Sequence, residues 1–128
     1  MANALLERIA LRWTQGEPLV VVCFCAAWCD LCTQFRGVYD VLAGERPDML
    51  FVWLDIEDDH AVAGDIDVEN FPTLAVYRGH TLLHYGVSLP HRVTVARLID
   101  QLAANAAATQ EAPEAVRALP RLIAQLNQ

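Results

Sequence analysis

The four cysteines of this 128-residue chain fall within ten positions, in the run Cys23-Phe24-Cys25-Ala26-Ala27-Trp28-Cys29-Asp30-Leu31-Cys32. Four thiols so close together could hold a metal, knit a disulfide framework, or supply one reactive pair beside two bystanders. Zinc and iron–sulfur sites usually draw their ligands from loops with C-x2-4-C spacing. Cys23 and Cys25 instead alternate within an apolar run, so both point to one face of a strand. That argues against a four-thiolate site, and the two read as small buried apolar residues. Cys29 and Cys32 are three apart. With a helix starting at Cys29, both sulfurs lie on one side of its first turn and can join as a disulfide. The unpaired N–H groups and the dipole at a helix start favour a thiolate, which is the nucleophile in exchange. Cys29, at the entry to the turn, is the better candidate for it. Cys32, one turn deeper, would attack the mixed disulfide and release the reduced substrate.

The flanking sequence must supply that strand and that helix. Residues 19–25, Leu-Val-Val-Val-Cys-Phe-Cys, are β-branched and apolar on both faces, the pattern of a strand covered on each side and central in its sheet. A helix over residues 29–42 follows, broken by Gly44 and Pro47, and residues 49–54 read as a second buried strand, so the unit is β-α-β and parallel. Ahead of it, Leu5, Leu6, Ile9 and Trp13 have helical spacing, closed by Gly16 and Pro18. Beyond it, the acidic segment 55–68 predicts a short helix over 59–64. Residues 73–77 and 81–85 form a hairpin around Arg78-Gly79-His80. A helix over 90–106 would cover the sheet. Residues 109–113 link to an amphipathic stretch with Val116, Leu119, Leu122, Ile123 and Leu126 on one face, which Pro120 should kink.

Ala27-Trp28-Cys29-Asp30-Leu31-Cys32 after an apolar strand, Phe71-Pro72-Thr73 some 40 residues later, and Gly86 after the hairpin together resemble the thioredoxin family. The resemblance covers residues 19–106. It implies an α/β thioredoxin-like fold with a central mixed sheet of about four strands, ordered 50s strand, Leu19 strand, Thr73 strand, Thr81 strand, and flanked by helices. The 18 residues before Leu19 leave little room for the family's additional first strand. The division it suggests is a thioredoxin-like domain at 1–108 and a C-terminal helical extension at 109–128. Carried over from the family, Cys29 is the attacking thiol and Cys32 the resolving one. Pro72 would be cis and face the sulfurs. The backbone of Phe71 would pair with an extended substrate segment, and Trp28 and Gly86 would border the groove. Asp30 and Leu31 replace the common Gly-Pro. A carboxylate beside Cys29 opposes thiolate formation while interacting favourably with the helix dipole, so the two effects compete. The family's buried aspartate and its companion lysine align with Cys23 and Trp53, which removes the usual proton-handling pair and implies slow turnover. A sharper reading of Cys23 makes it a third thiol near Cys32, able to trap or relay a disulfide.

The remaining features bound the function. A composition of 55% apolar and 20% charged residues is globular, and the longest apolar run, residues 19–28, is half the roughly 20 residues of a spanning helix. The first residues carry Glu7, Arg8 and Arg12 and lack a signal-peptide pattern, so a cytoplasmic location is expected, where a C-x-x-C is more often catalytic or metal-binding than structural. A net charge of −7, with nine arginines and no lysine, gives no footprint for nucleic acid or a membrane surface. His60, His80, His84 and His91 have no paired spacing, the acidic run from Asp55 to Asp59 lacks a metal-loop pattern, and no metal site or bound cofactor is expected. Trp13 and Trp53 read as core. The expectation is a thiol–disulfide oxidoreductase, working as a reductase on protein disulfide substrates and recharged by an upstream reductase or small thiol. The alternative is a thioredoxin-fold binding or assembly module with weak redox turnover.

Overall fold

The computed structural model describes residues 4–56, 66, 71–87, 91–104, 107–109 and 112–125. Helix α1 (Ala4–Trp13) leads into β1 (Leu19–Cys25), α2 (Asp30–Glu45) and β2 (Leu50–Asp55), then β3 (Thr73–Arg78), β4 (Thr81–Val87), α3 (Arg92–Ala104) and α4 (Glu114–Ala124). The helix expected over 59–64 lies outside the described residues. The sheet is mixed and ordered β2-β1-β3-β4, the order the sequence implies. β1 runs parallel to β2 and antiparallel to β3, and β3 and β4 form the hairpin.

Every residue of β1 is buried, because helices cover the sheet on both sides. Strand alternation divides the core in two. Val20, Val22 and Phe24 face a cluster with Trp13 of α1, Val52 and Leu54 of β2, Tyr77 of β3 and Val116, Leu119 and Ile123 of α4. Val21, Cys23 and Cys25 face the other cluster, with Cys32, Phe35, Tyr39 and Leu42 of α2 and Val95 and Ile99 of α3. α2 is anchored at mid-length by Tyr39. Its buried hydroxyl shares its proton between Val21 O and Val52 O, at 2.6 and 2.7 Å, and accepts the Val52 N–H at 3.1 Å. That contact fixes the helix against the two parallel strands β1 and β2 and so sets where its first turn lies.

The opposite face is locked by α1 and α4. Trp13 Nε1 donates to Gly79 O at 2.8 Å, and Gly79 N–H donates to Pro18 O at 2.9 Å, which pins the β3–β4 turn to the α1–β1 connection. Gly79 has φ +58°, a conformation that side chains disfavour. The stripe of α4 packs on α1 and over β3. α4 continues through Pro120, which is buried. A proline has no N–H to donate to the carbonyl four residues back, here Val116 O. Tyr77 supplies the missing donor, its hydroxyl lying 2.7 Å from that oxygen. No helix among the described residues is long and apolar enough to cross a membrane.

Candidate active site

β1 ends at Cys25, and a short turn carries the chain to α2. Cys29 is the N-cap residue, with extended backbone (φ −88°, ψ 118°), its N–H bonded to Ala26 O at 3.0 Å and its carbonyl accepting the Thr33 N–H at 3.2 Å. No side chain caps this helix start, so its first-turn N–H groups are available to a sulfur anion. Cys29 is half-buried, whereas Cys32 is only 2% exposed. Burial pushes the Cys32 thiol up, as do the neighbouring Cys25 and Cys29 thiols, against the opposing pull of the Ala26 backbone. The entry cysteine is thus presented and the inner one is held as the neutral thiol.

Trp28 stands 67% exposed beside Cys29. Its ring meets Phe71 edge to face, centroids 5.5 Å apart and planes at 82°. The Phe71–Pro72 peptide is cis and Pro72 is buried. Phe71 and Cys29 both pack at the rim of the apolar cluster that holds Cys32. Thr73 pairs with Phe24 of β1, so the proline enters the sheet at the end from which the cysteine turn leaves. Gly86 lies opposite Leu74 on β4, at that same end, and a side chain there would meet only the His84 imidazole, at 3.6 Å. Asp30 and Leu31 face outward, and Leu31 and Val87 add exposed apolar surface, at 47% and 59%.

One reading needs adjustment. Cys25, rather than Cys23, is the strand thiol that bears most on the ionisation of Cys32. Cys23 lies one step further in, its sulfur 3.4 Å from that of Cys25. Both sit on the face the alternation predicts, but Cys25 is at the strand end where α2 begins. That proximity to the turn was the available signal. Trp53, at the position of the family's lysine, packs edge to face on Tyr39 and lies 4.7 Å from the Arg36 guanidinium, so no proton carrier occupies that position. Among the described residues no group of three or more His, Cys, Asp or Glu side chains is arranged to hold a metal ion.

A family model described as Thioredoxin matches residues 11–101. The chain belongs to the thioredoxin family. Thioredoxin of Ophiophagus hannah is 32% identical over 69 residues, 54% of this chain and 66% of the snake protein. Thioredoxin of Gallus gallus is 36% identical over 63 residues, 49% of this chain and 60% of the chicken protein. The chain therefore spans about two thirds or less of the length of these relatives. Fasciola hepatica thioredoxin superposes with a TM-score of 0.64 at 24% identity, covering 78% of this chain and 94% of that one. Oxidised thioredoxin from Plasmodium falciparum gives 0.62 at 21%, covering 80% and 95%. These structural likenesses establish the thioredoxin fold.

Proposed function

We propose that this thioredoxin-family chain is a thiol–disulfide oxidoreductase that reduces disulfides of protein substrates. The observation that carries the reading is the asymmetry of the pair: a half-buried Cys29 at an uncapped helix start, directly above a buried Cys32. In the forward cycle the Cys29 thiolate attacks one substrate sulfur. The substrate S–S bond breaks, and the other substrate sulfur leaves as a thiolate and takes up a proton. Cys32, once deprotonated, attacks Cys29 Sγ, the mixed disulfide breaks, and the second substrate thiol is released. The substrate has gained two electrons and two protons, and Cys29 and Cys32 are joined. A dithiol reductase or small thiol returns the pair to its reduced form, in a reducing compartment such as the cytoplasm.

The apolar collar suits an unfolded or extended partner. Trp28, Leu31 and Val87 expose apolar surface around the cysteine turn, and the Phe71 backbone next to Pro72 offers hydrogen-bonding groups to a strand-like segment. The test is turnover of a disulfide-bonded protein in the presence of a dithiol. Cys29→Ser is expected to abolish turnover, and Cys32→Ser to stop after one attack with the substrate held as a mixed disulfide. Full turnover by Cys29→Ser would overturn the assignment.

A further inference from the structure

That cycle leaves two thiols without a role, yet they are in register with it. Cys23 and Cys25 are 0% and 1% exposed, and their sulfurs are 3.4 Å apart on one face of β1. Cys25 and Cys32 pack in one apolar cluster with Cys29 at its rim, and the Cys25 and Cys32 thiols bear on each other's ionisation, as Cys29 does on that of Cys32. The thiols are thus neighbours in the order Cys29, Cys32, Cys25 and Cys23, with Cys29 at the rim of the apolar cluster that holds the other three. The main influences on the ionisation of Cys25 and Cys32 are burial, the neighbouring thiols and, for Cys32, the Ala26 backbone.

We propose that Cys25 is a third redox thiol, which attacks Cys32 Sγ in the oxidised protein to form a Cys25–Cys32 disulfide and returns Cys29 as a free thiol. The inference rests on Cys29–Cys32 being the site's disulfide. In the step, the Cys29–Cys32 bond breaks and the Cys25–Cys32 bond forms. Cys29 leaves as a thiolate and takes up, through solvent, the proton that Cys25 gives up. The two electrons stay within the three sulfurs, so the exchange needs neither oxidant nor reductant.

Geometry ends the series at Cys25. Cys23 is two residues away in a strand laddered on both sides, paired with Trp53 and Leu74. Two rises of about 3.3 Å, with parallel Cα–Cβ bonds, leave their Cβ atoms far beyond the roughly 3.8 Å that a disulfide requires. Cys25 and Cys32 lie on different elements within one apolar cluster, so they carry no such restriction. The hydrogen bond to Cys23 and burial both keep Cys25 protonated, which makes the exchange slow beside the primary cycle. Its product is a disulfide shielded from solvent beneath a regenerated surface nucleophile. An oxidised chain in this state still offers Cys29 to a second thiol or disulfide.

Chymotrypsin separates the sulfurs, because cleavage after Phe24, Trp28, Leu31 and Phe35 places Cys25, Cys29 and Cys32 on different peptides. The full chain is oxidised with oxidised glutathione, quenched in acid at intervals, alkylated and digested. The expected result is a Cys29–Cys32 crosslink, followed by a Cys25–Cys32 crosslink that grows at its expense while Cys29 becomes alkylated. Cys29→Ser is expected to lose two of its three remaining thiols to a Cys25–Cys32 disulfide, and Cys25→Ala to show the Cys29–Cys32 crosslink alone. Cys29→Ser changes only a half-buried position and keeps the test decisive should Cys25→Ala not fold. A Cys29–Cys32 disulfide in the full chain, with no Cys25–Cys32 crosslink there or in Cys29→Ser, would overturn the proposal and leave the primary cycle standing. Absence of the Cys29–Cys32 disulfide from the full chain would sink the primary cycle, and the exchange built on it.

Discussion

The pairing of Tyr77 with Pro120 makes a prediction that single-site reasoning would miss. Tyr77→Phe removes only a hydroxyl, because the ring and its tilted contact with Trp13, centroids 5.2 Å apart, stay in place. That hydroxyl is the donor to Val116 O, and both residues are 0% exposed. Losing a made hydrogen bond costs about 0.5–1.5 kcal/mol net, and orphaning a buried acceptor costs about 1–3 kcal/mol. The Val116 carbonyl cannot turn to its helical partner, since Pro120 has no N–H. Tyr77→Phe is therefore expected to destabilise by about 2 kcal/mol. Pro120→Ala restores the N–H and gives the carbonyl an intrahelical donor. In the Tyr77→Phe background it should recover about 1–2 kcal/mol more than it yields in the parent chain. Any cavity or helix-propensity effect of the alanine occurs in both backgrounds and cancels in the cycle. Urea unfolding followed by Trp fluorescence reads it, with Trp13 reporting beside the mutated ring. At a slope of about 2 kcal/mol per molar, the Tyr77→Phe midpoint should fall by about 1 M with the slope unchanged. A loss under about 0.5 kcal/mol, or a cycle additive within about 0.5 kcal/mol, would refute the claim that the tyrosine replaces the proline's missing donor.

Two further predictions concern the site. Burial and neighbouring thiols hold the Cys32 thiol above its ordinary value of 9.0. Its attack on a trapped Cys29 mixed disulfide should therefore accelerate about tenfold per pH unit up to pH of about 9, without a plateau near neutrality; stopped-flow release of a fluorescent thiol measures this, and a plateau at neutral pH would show that another group takes the proton. Trp28→Ala should leave stability within about 0.5 kcal/mol because the ring is mostly exposed, while kcat/KM for a protein disulfide falls about tenfold, the equivalent of about 1.4 kcal/mol of contact energy; unchanged kcat/KM would remove the ring from the substrate groove.

Much of this protein was legible in its sequence because local patterns are enough to place local structure. Seven consecutive apolar residues ending at Cys25 required a strand covered on both faces. The C-x-x-C that follows required two thiols on one side of a helix start, one outer and one inner. The family resemblance of Phe71-Pro72-Thr73 and Gly86 implied the other side of the groove. What alternation specifies is a face, however, and not a depth. It put Cys23 and Cys25 together on the α2 side of β1 without deciding which of them bears most on Cys32. That depended on where Tyr39 anchors α2 against Val21 and Val52, a contact between elements.

The same division holds for the C-terminal helix. Its apolar stripe is a property of the sequence, and so is the missing donor at Pro120. Which surface the stripe covers, and which side chain supplies that donor, came only with the tertiary structure, because a residue 39 positions earlier provides the hydroxyl. The sequence by itself thus determined where the strands and helices lie and the chemistry available at the cysteine turn, while the order of strands followed from the family resemblance. Only the packing of helices on the two faces decided how the four sulfurs line up, because distances between elements are set by the shapes of the side chains between them.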